Sequence, residues 1–247
     1  MDRLGIDIGS KTIKLVLLSG EDGSVLYSSY LRHRSRVKSR LVRALRDCLW
    51  KCGPRTCRVT VSGSAGMRLA ELFDIPHVQE VVALKHAVER MQPGSDCILE
   101  MGGEDTKLVY LTGVAEQRMN TVCAGGTGGF IEMMASLMGV KVELMSSLAK
   151  RATRTYTIAS RCAVFAKSDV RPLLNSGARR EDIAKSVLEA VCTQAIAGLS
   201  AGRPLRGRIV LLGGPFTYIP ALRDAFADVS GLPADDLVVP DDAHLYV

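Results

Sequence analysis

A chain of 247 residues is long enough for one large domain or for two modest lobes with cores of their own. Its balance, 47% hydrophobic and 23% charged, is that of a soluble globular protein, and no apolar run approaches the roughly 18–20 residues that span a bilayer. The N-terminal MDRLGIDIGS leads almost directly into a strand pattern with no secretory signal, so the expectation is a cytoplasmic protein without membrane contact.

The first element in chain order is a predicted hairpin. LGIDIG reads as an apolar strand, a glycine turn follows, and IKLVLL reads as the returning strand. Glycine lets successive backbone N–H groups approach an anion, so Gly9, Ser10, Lys11 and Thr12 are candidates for a phosphate cradle. Asp7, just before the turn, cannot bind phosphate but can hold Mg²⁺ or its waters. Lys11 and Lys14 carry the charge to approach phosphates, although Lys14 can equally be a strand residue that faces solvent.

Much of the net charge of +6 falls in the next segment, RHRSRVKSRLVRALR, residues 32–46. Leu41, Val42, Leu45, Cys48, Leu49 and Cys52 recur at helical spacing with the arginines between them, which predicts a helix with a solvated basic face. No aromatic residues interleave with the cations as a single-strand binder requires, so nucleic acid is not the expected partner. The seven cysteines (48, 52, 57, 97, 123, 162 and 192) include no CxxC pair. Without a secretory signal they point to reduced thiols or metal ligands rather than disulfides. Cys48, Cys52, Cys97 and Cys192 fall at core positions of predicted helices and strands.

At residues 100–111 the first hairpin recurs. EMGGEDTKLVYL repeats the plan of DIGSKTIKLVLL 93 residues earlier: acid, apolar residue, glycine, then Lys-Leu-Val. Glu100 takes the place of Asp7 as a candidate Mg²⁺ carboxylate, and Gly102 and Gly103 form the second phosphate turn. A third glycine element closes the strand RIVLLGGP. Gly213, Gly214 and Pro215, followed by a helical pattern, suit the reception of a nucleoside against bare backbone.

Two phosphate hairpins followed by such an element resemble the sugar kinase, Hsp70 and actin superfamily of two-lobed ATPases. More narrowly, the chain resembles the activator ATPases of 2-hydroxyacyl-CoA dehydratases, the BadF/BadG/BcrA/BcrD family. LGIDIGSKTIK matches the first phosphate motif of that family and EMGGEDTK the second. NTVCAGGTGGF and IASRCAVFAKSDV resemble the segments that carry its cluster cysteines. ASRCAVFAKSDVRPLLNSGARREDIA and GRPLRGRIVLLGGP lean towards the activase domains of the long multidomain members.

The resemblance implies an α/β protein of ribonuclease H-like lobes, with mixed sheets flanked by helices and a nucleotide cleft between the lobes. The expected division is residues 1–112, with both phosphate hairpins, and residues 113–247, with the cluster cysteines and the adenosine motif. The family pattern ends on an Ala/Gly-rich helix where this chain reads DDAHLYV, so that closing helix is expected to be missing.

The implied activity is ATP hydrolysis, with ADP as product, coupled to low-potential electron transfer into a dehydratase. Cys123 and Cys162 are the implied ligands of a [4Fe–4S] cluster on the twofold axis of a homodimer, or between paired sister domains. Each precedes a helix-like segment, whose N-terminal partial charge stabilises a thiolate. Gly125, Gly126, Thr127 and Gly128 lead from Cys123 towards the nucleotide. Glu104 and Asp105 stand where a residue orients the attacking water, although the family usually carries Gln at the first of these positions. A dehydratase-type partner and an electron donor such as ferredoxin or flavodoxin complete the picture. A small-metabolite kinase and an actin-like assembly protein are the alternatives on the same fold, and the cysteine pair separates them from the activator.

Overall fold

The computed structural model describes residues 1–114, 116–120, 125–160 and 162–246. The chain forms two compact units, one of residues 1–90 together with the tail from His244, the other Met91–Ala243. The division falls at Arg90/Met91 and not at residue 112. The physical reason is the second hairpin, whose strands hydrogen-bond into a sheet completed by strands from the end of the chain.

The first unit is built on four strands, β1 (Asp2–Ile8), β2 (Thr12–Leu18), β3 (Val25–Arg32) and β4 (Cys57–Ser62), in the order β3-β2-β1-β4. β1 pairs antiparallel with β2 and parallel with β4, and β2 pairs antiparallel with β3. Helix α1 (Val37–Cys52) makes the crossover, and α2 (Met67–Phe73) and α3 (Glu80–Met91) follow β4. Ile6, Ile8, Ile13 and Leu15 form the centre of this core, against which α1 sets Leu41, Ala44 and Cys48. The helix therefore buries a narrower stripe than its spacing predicts, because Val42 and Leu49 are exposed beside the arginines. Cys48 is buried, and desolvation pushes its thiol up to about 11. Cys52 and Cys57 are half-buried, and the Cys52 thiol donates to the Leu26 carbonyl at 3.8 Å.

The second unit repeats the plan. β5 (Cys97–Met101), β6 (Thr106–Tyr110), β7 (Glu116–Asn120), β8 (Ile209–Leu212) and the short β9 (Leu237–Val238) lie in the order β7-β6-β5-β8-β9. As in the first unit, two antiparallel pairings are followed by a parallel one, now extended by β9. Among the described residues, six α-helices lie between these strands: α4 (Gly128–Leu137), α5 (Met145–Ala149), α6 (Ala163–Asn175) and α7 (Arg180–Ser200) before β8, and α8 (Gly214–Tyr218) and α9 (Ala221–Ser230) before β9. α7 is buried around much of its circumference, including Cys192, and joins Leu99, Leu108, Phe130 and Phe226 in one core. The internal repeat seen in the sequence is thus a repeat of sheet topology. No helix among the described residues is long and apolar enough to cross a membrane.

Candidate functional site

In the first hairpin the register sets Asp7 opposite Lys14. Both are buried, and Lys14 Nζ lies 3.1 Å from Asp7 Oδ2. Of the two readings open for Lys14, the solvent-facing one does not hold: it is 8% exposed because its ammonium is held against the acid across the strand pair. Ser62, at the end of β4, donates its hydroxyl to Asp7 Oδ1 at 3.1 Å. The turn is closed by Gly9 N–H donating to the Thr12 carbonyl at 3.0 Å, with Ser10 exposed at its tip.

Nothing in the residue pattern marks the side chain that braces this turn. His33 is buried, and its backbone N–H donates to the Lys11 carbonyl at 3.1 Å. Ser35 N–H donates to its Nδ1 at 3.2 Å. The ring proton therefore sits on Nε2, which donates to the Gly9 carbonyl at 3.1 Å. Arg34 and Ser35, which shape the bend around this ring, both have positive φ, an unfavourable backbone for side-chain-bearing residues. Two of the turn's carbonyls are thereby held towards His33. The strained bend that places this histidine leaves no mark in a sequence.

The second hairpin reproduces the pairing in the second unit. Glu100 lies opposite Lys107, and Gly102 N–H closes the turn onto the Asp105 carbonyl at 2.9 Å. Lys107 Nζ is 2.9 Å from Glu100 Oε2 and 2.7 Å from Asp105 Oδ2. Asp105 also lies against Gly102, where an added Cβ would meet Asp105 Oδ1 at 2.3 Å. Asp105 thus belongs to the framework of the turn, while Glu104 stands exposed at its tip.

The remaining glycine motifs of this unit converge on the same turn. Gly128 and Gly129, at the N-terminus of α4, donate their N–H groups to the Gly102 and Gly103 carbonyls at 2.9 and 2.8 Å. Upstream, the Gly125 carbonyl accepts from Asn120 Nδ2 at 3.1 Å and the Gly126 carbonyl from Thr106 Oγ1 at 2.5 Å. Thr127 is fully buried where α4 begins. Gly213 has φ of +99°, and a Cβ there would sit 2.1 Å from the Met101 carbonyl oxygen. Pro215, after Gly214 at the start of α8, lies where a Cβ on Gly128 would meet its Cγ at 2.8 Å. Motifs spaced over more than a hundred residues therefore enclose one hairpin turn.

Cys162 is the N-cap residue of α6, in extended conformation. The amides of Phe165 and Val164, in the first turn of α6, hold the thiol below its ordinary pKa. The chain leading to it is tethered at three points. Thr153 N–H donates to Asp182 Oδ1, Tyr156 N–H to Ser186 Oγ and Ala159 N–H to Asp169 Oδ2, each at 2.8 Å. Val164 and Phe165 are exposed just beyond the thiol. Cys123 lies outside the described residues. Among the described residues no three metal-ligating side chains gather at one point.

The pattern of the BadF/BadG/BcrA/BcrD ATPase family matches residues 4–229. The chain belongs to this family. Among BadF/BadG/BcrA/BcrD relatives, the activator of lactoyl-CoA dehydratase from Anaerotignum propionicum is 30% identical over 243 residues, 97% of this chain and 91% of the relative. The solved structure of the activator of the 2-hydroxyisocaproyl-CoA dehydratase from Clostridium difficile with bound ADPNP is 25% identical, with a TM-score of 0.87 over 100% of this chain and 91% of that one. Component A of the (R)-2-hydroxyglutaryl-CoA dehydratase of Acidaminococcus fermentans shares the fold, with a TM-score of 0.89 at 23% identity, over 100% and 94% of the two chains. For a BadF/BadG/BcrA/BcrD ATPase, the actin-like α/β fold and a nucleotide-handling role follow from these similarities.

Proposed function

We propose that this ATPase is a reductive activator: it hydrolyses ATP and passes a low-potential electron to a 2-hydroxyacyl-CoA dehydratase-type partner. The observation that carries the reading is Cys162, the N-cap thiol of α6 whose pKa the amides of the first helical turn hold down, in a chain that also has an acid–lysine hairpin in each of its two units. A thiol stabilised as thiolate fits an iron–sulfur ligand. Cys123 and Cys162 would hold the [4Fe–4S] group together with the same two cysteines of a second copy or sister domain. When bound, that group supplies one-electron transfer at low potential.

The remaining roles fall to the chain's own side chains and amides. Gly9–Thr12 and Lys11 receive the phosphates, and Gly213–Pro215 receive the nucleoside. Asp7 and Glu100 fit Mg²⁺, which takes one or two carboxylates and fills its other positions with water and phosphate. Both carboxylates keep acceptor capacity beyond their lysine contacts, since each has about four lone-pair sites. Glu104, at the tip of the second turn, orients water, and Asp105 holds that turn together. Ferredoxin or flavodoxin is the class of electron donor that suits the reaction.

Anaerobic purification with iron, sulfide and absorbance measurements tests the proposal. The expected result is about two iron atoms per chain, lost in Cys162→Ser and in Cys123→Ser, with ATP hydrolysis abolished in Asp7→Asn. Wild-type chain that takes up no iron anaerobically would sink the activator reading.

A further inference from the structure

We infer that Lys107 is a positioning residue of the nucleotide site: it fixes Glu100 and Asp105 and lowers the negative charge that the second hairpin presents to a polyphosphate. The inference rests on the reading of the second hairpin as a phosphate-facing element. The hairpins share backbone pairing, turn closure and a cross-strand acid–lysine pair. Their charges differ. From acid to lysine, the first carries Asp7, Lys11 and Lys14, two cations against one anion. The second carries Glu100, Glu104, Asp105 and Lys107, one cation against three anions. Lys107 is thus the sole basic side chain of a turn that is otherwise hostile to phosphate.

Its geometry is that of a shared counter-ion. With its side chain 4% exposed, it bridges Glu100 Oε2 at 2.9 Å and Asp105 Oδ2 at 2.7 Å. Removing one member of a buried ion network leaves the others uncompensated, which disturbs both geometry and field. In the first hairpin the corresponding Lys14 meets Asp7 at 3.1 Å, and Thr12 stands where the second hairpin has Asp105. The extra acid, Asp105, is therefore what makes Lys107 more than a strand-pairing residue, and it supplies the means of testing the role.

The test is the affinity of a fluorescent ADP analogue, measured with EDTA and again with Mg²⁺, alongside thermal unfolding. Lys107→Met is expected to weaken metal-free binding about tenfold, as the loss of one positive charge from a phosphate-facing turn should. Mg²⁺ should narrow the gap, because the cation offsets the added negative charge. Asp105→Asn together with Lys107→Met restores the charge count and is expected to restore affinity. Asp105→Asn alone should bind metal-free nucleotide at least as tightly as wild type, which keeps the inference testable if Lys107→Met does not fold. A purely structural role predicts the opposite series: both single variants lose affinity and the double variant is no better. That series, or a folded Lys107→Met with wild-type affinity, overturns the inference while leaving the nucleotide site intact. Wild-type chain that binds no nucleotide overturns both.

Discussion

The protein's thiols sit in sharply different environments, and their chemistry should differ accordingly. Cys162 caps α6, and the amides of the first helical turn lower its pKa. Cys97 is pushed up to about 11 by burial in β5, and Cys192 is raised further by complete burial in α7. In folded, metal-free chain, iodoacetamide should label Cys162 with a pH midpoint below the roughly 8.5 of a free thiol. Cys97 and Cys192 should remain unlabelled until the chain unfolds. The sign for stability follows: a depressed folded pKa stabilises the chain above the unfolded thiol's pKa, and that contribution is lost as pH falls through the folded one. Site-resolved mass spectrometry checks the order, and labelling of Cys192 at the rate of Cys162 would contradict it. His33 offers a second test at this scale. His33→Leu leaves the Gly9 carbonyl without its ring donor, a loss of about 1–3 kcal/mol. Denaturation should show this, and the KM for ATP should rise more than kcat falls. His33→Gln, which keeps an N–H donor, should recover part of both.

The element that decides how the second unit works is the junction of the β5–β6 hairpin with α4. Gly128 and Gly129 place their N–H groups on the hairpin's carbonyls, so a shift of that turn moves the helix N-terminus with it. An exposed helical glycine replaced by alanine ordinarily gains about 0.5–1 kcal/mol. At Gly128 the sign should reverse, because the new Cβ meets Pro215 Cγ at 2.8 Å and the Gly102 carbonyl oxygen at 3.1 Å. Gly128→Ala is expected to cost about 1–3 kcal/mol in urea unfolding and to speed hydrogen exchange at the start of α4. Unchanged or higher stability would show that the junction is loose. This junction also marks where a sequence stops being informative. The two hairpins were legible because glycine turns and the acid–lysine spacing repeat within eight residues, a local signal. The docking of Gly128 on Gly102 and of Gly213 on Met101 was not legible, since it depends on which backbones meet across a sheet. Glycine-rich segments announce that some close approach occurs without naming the partner.

At the scale of the whole chain, the same sheet topology is used twice, and each copy is completed by residues distant in sequence. β5–β7 and β8 are separated by about ninety residues that contain α4 to α7, which is why a boundary drawn after the second hairpin fell in the middle of a sheet. The first unit recovers its last piece only at the end of the chain. His244 packs edge-on against Tyr30 of β3, with ring centroids 5.1 Å apart, and Tyr246 is buried within the same unit. Edge-to-face aromatic pairs and burial of a large ring are worth a few kcal/mol together. Tyr246→Ala should therefore lower stability by roughly 2–4 kcal/mol. The loss should fall unevenly: hydrogen exchange should quicken in β2 and β3, far along the sequence from the substitution. β5 and β8, whose core is built from Leu99, Leu211 and Phe226, should keep their protection. Uniform loosening of both sheets would mean that the two units unfold as one, and no change in β3 would mean that the tail contributes nothing to the unit it joins.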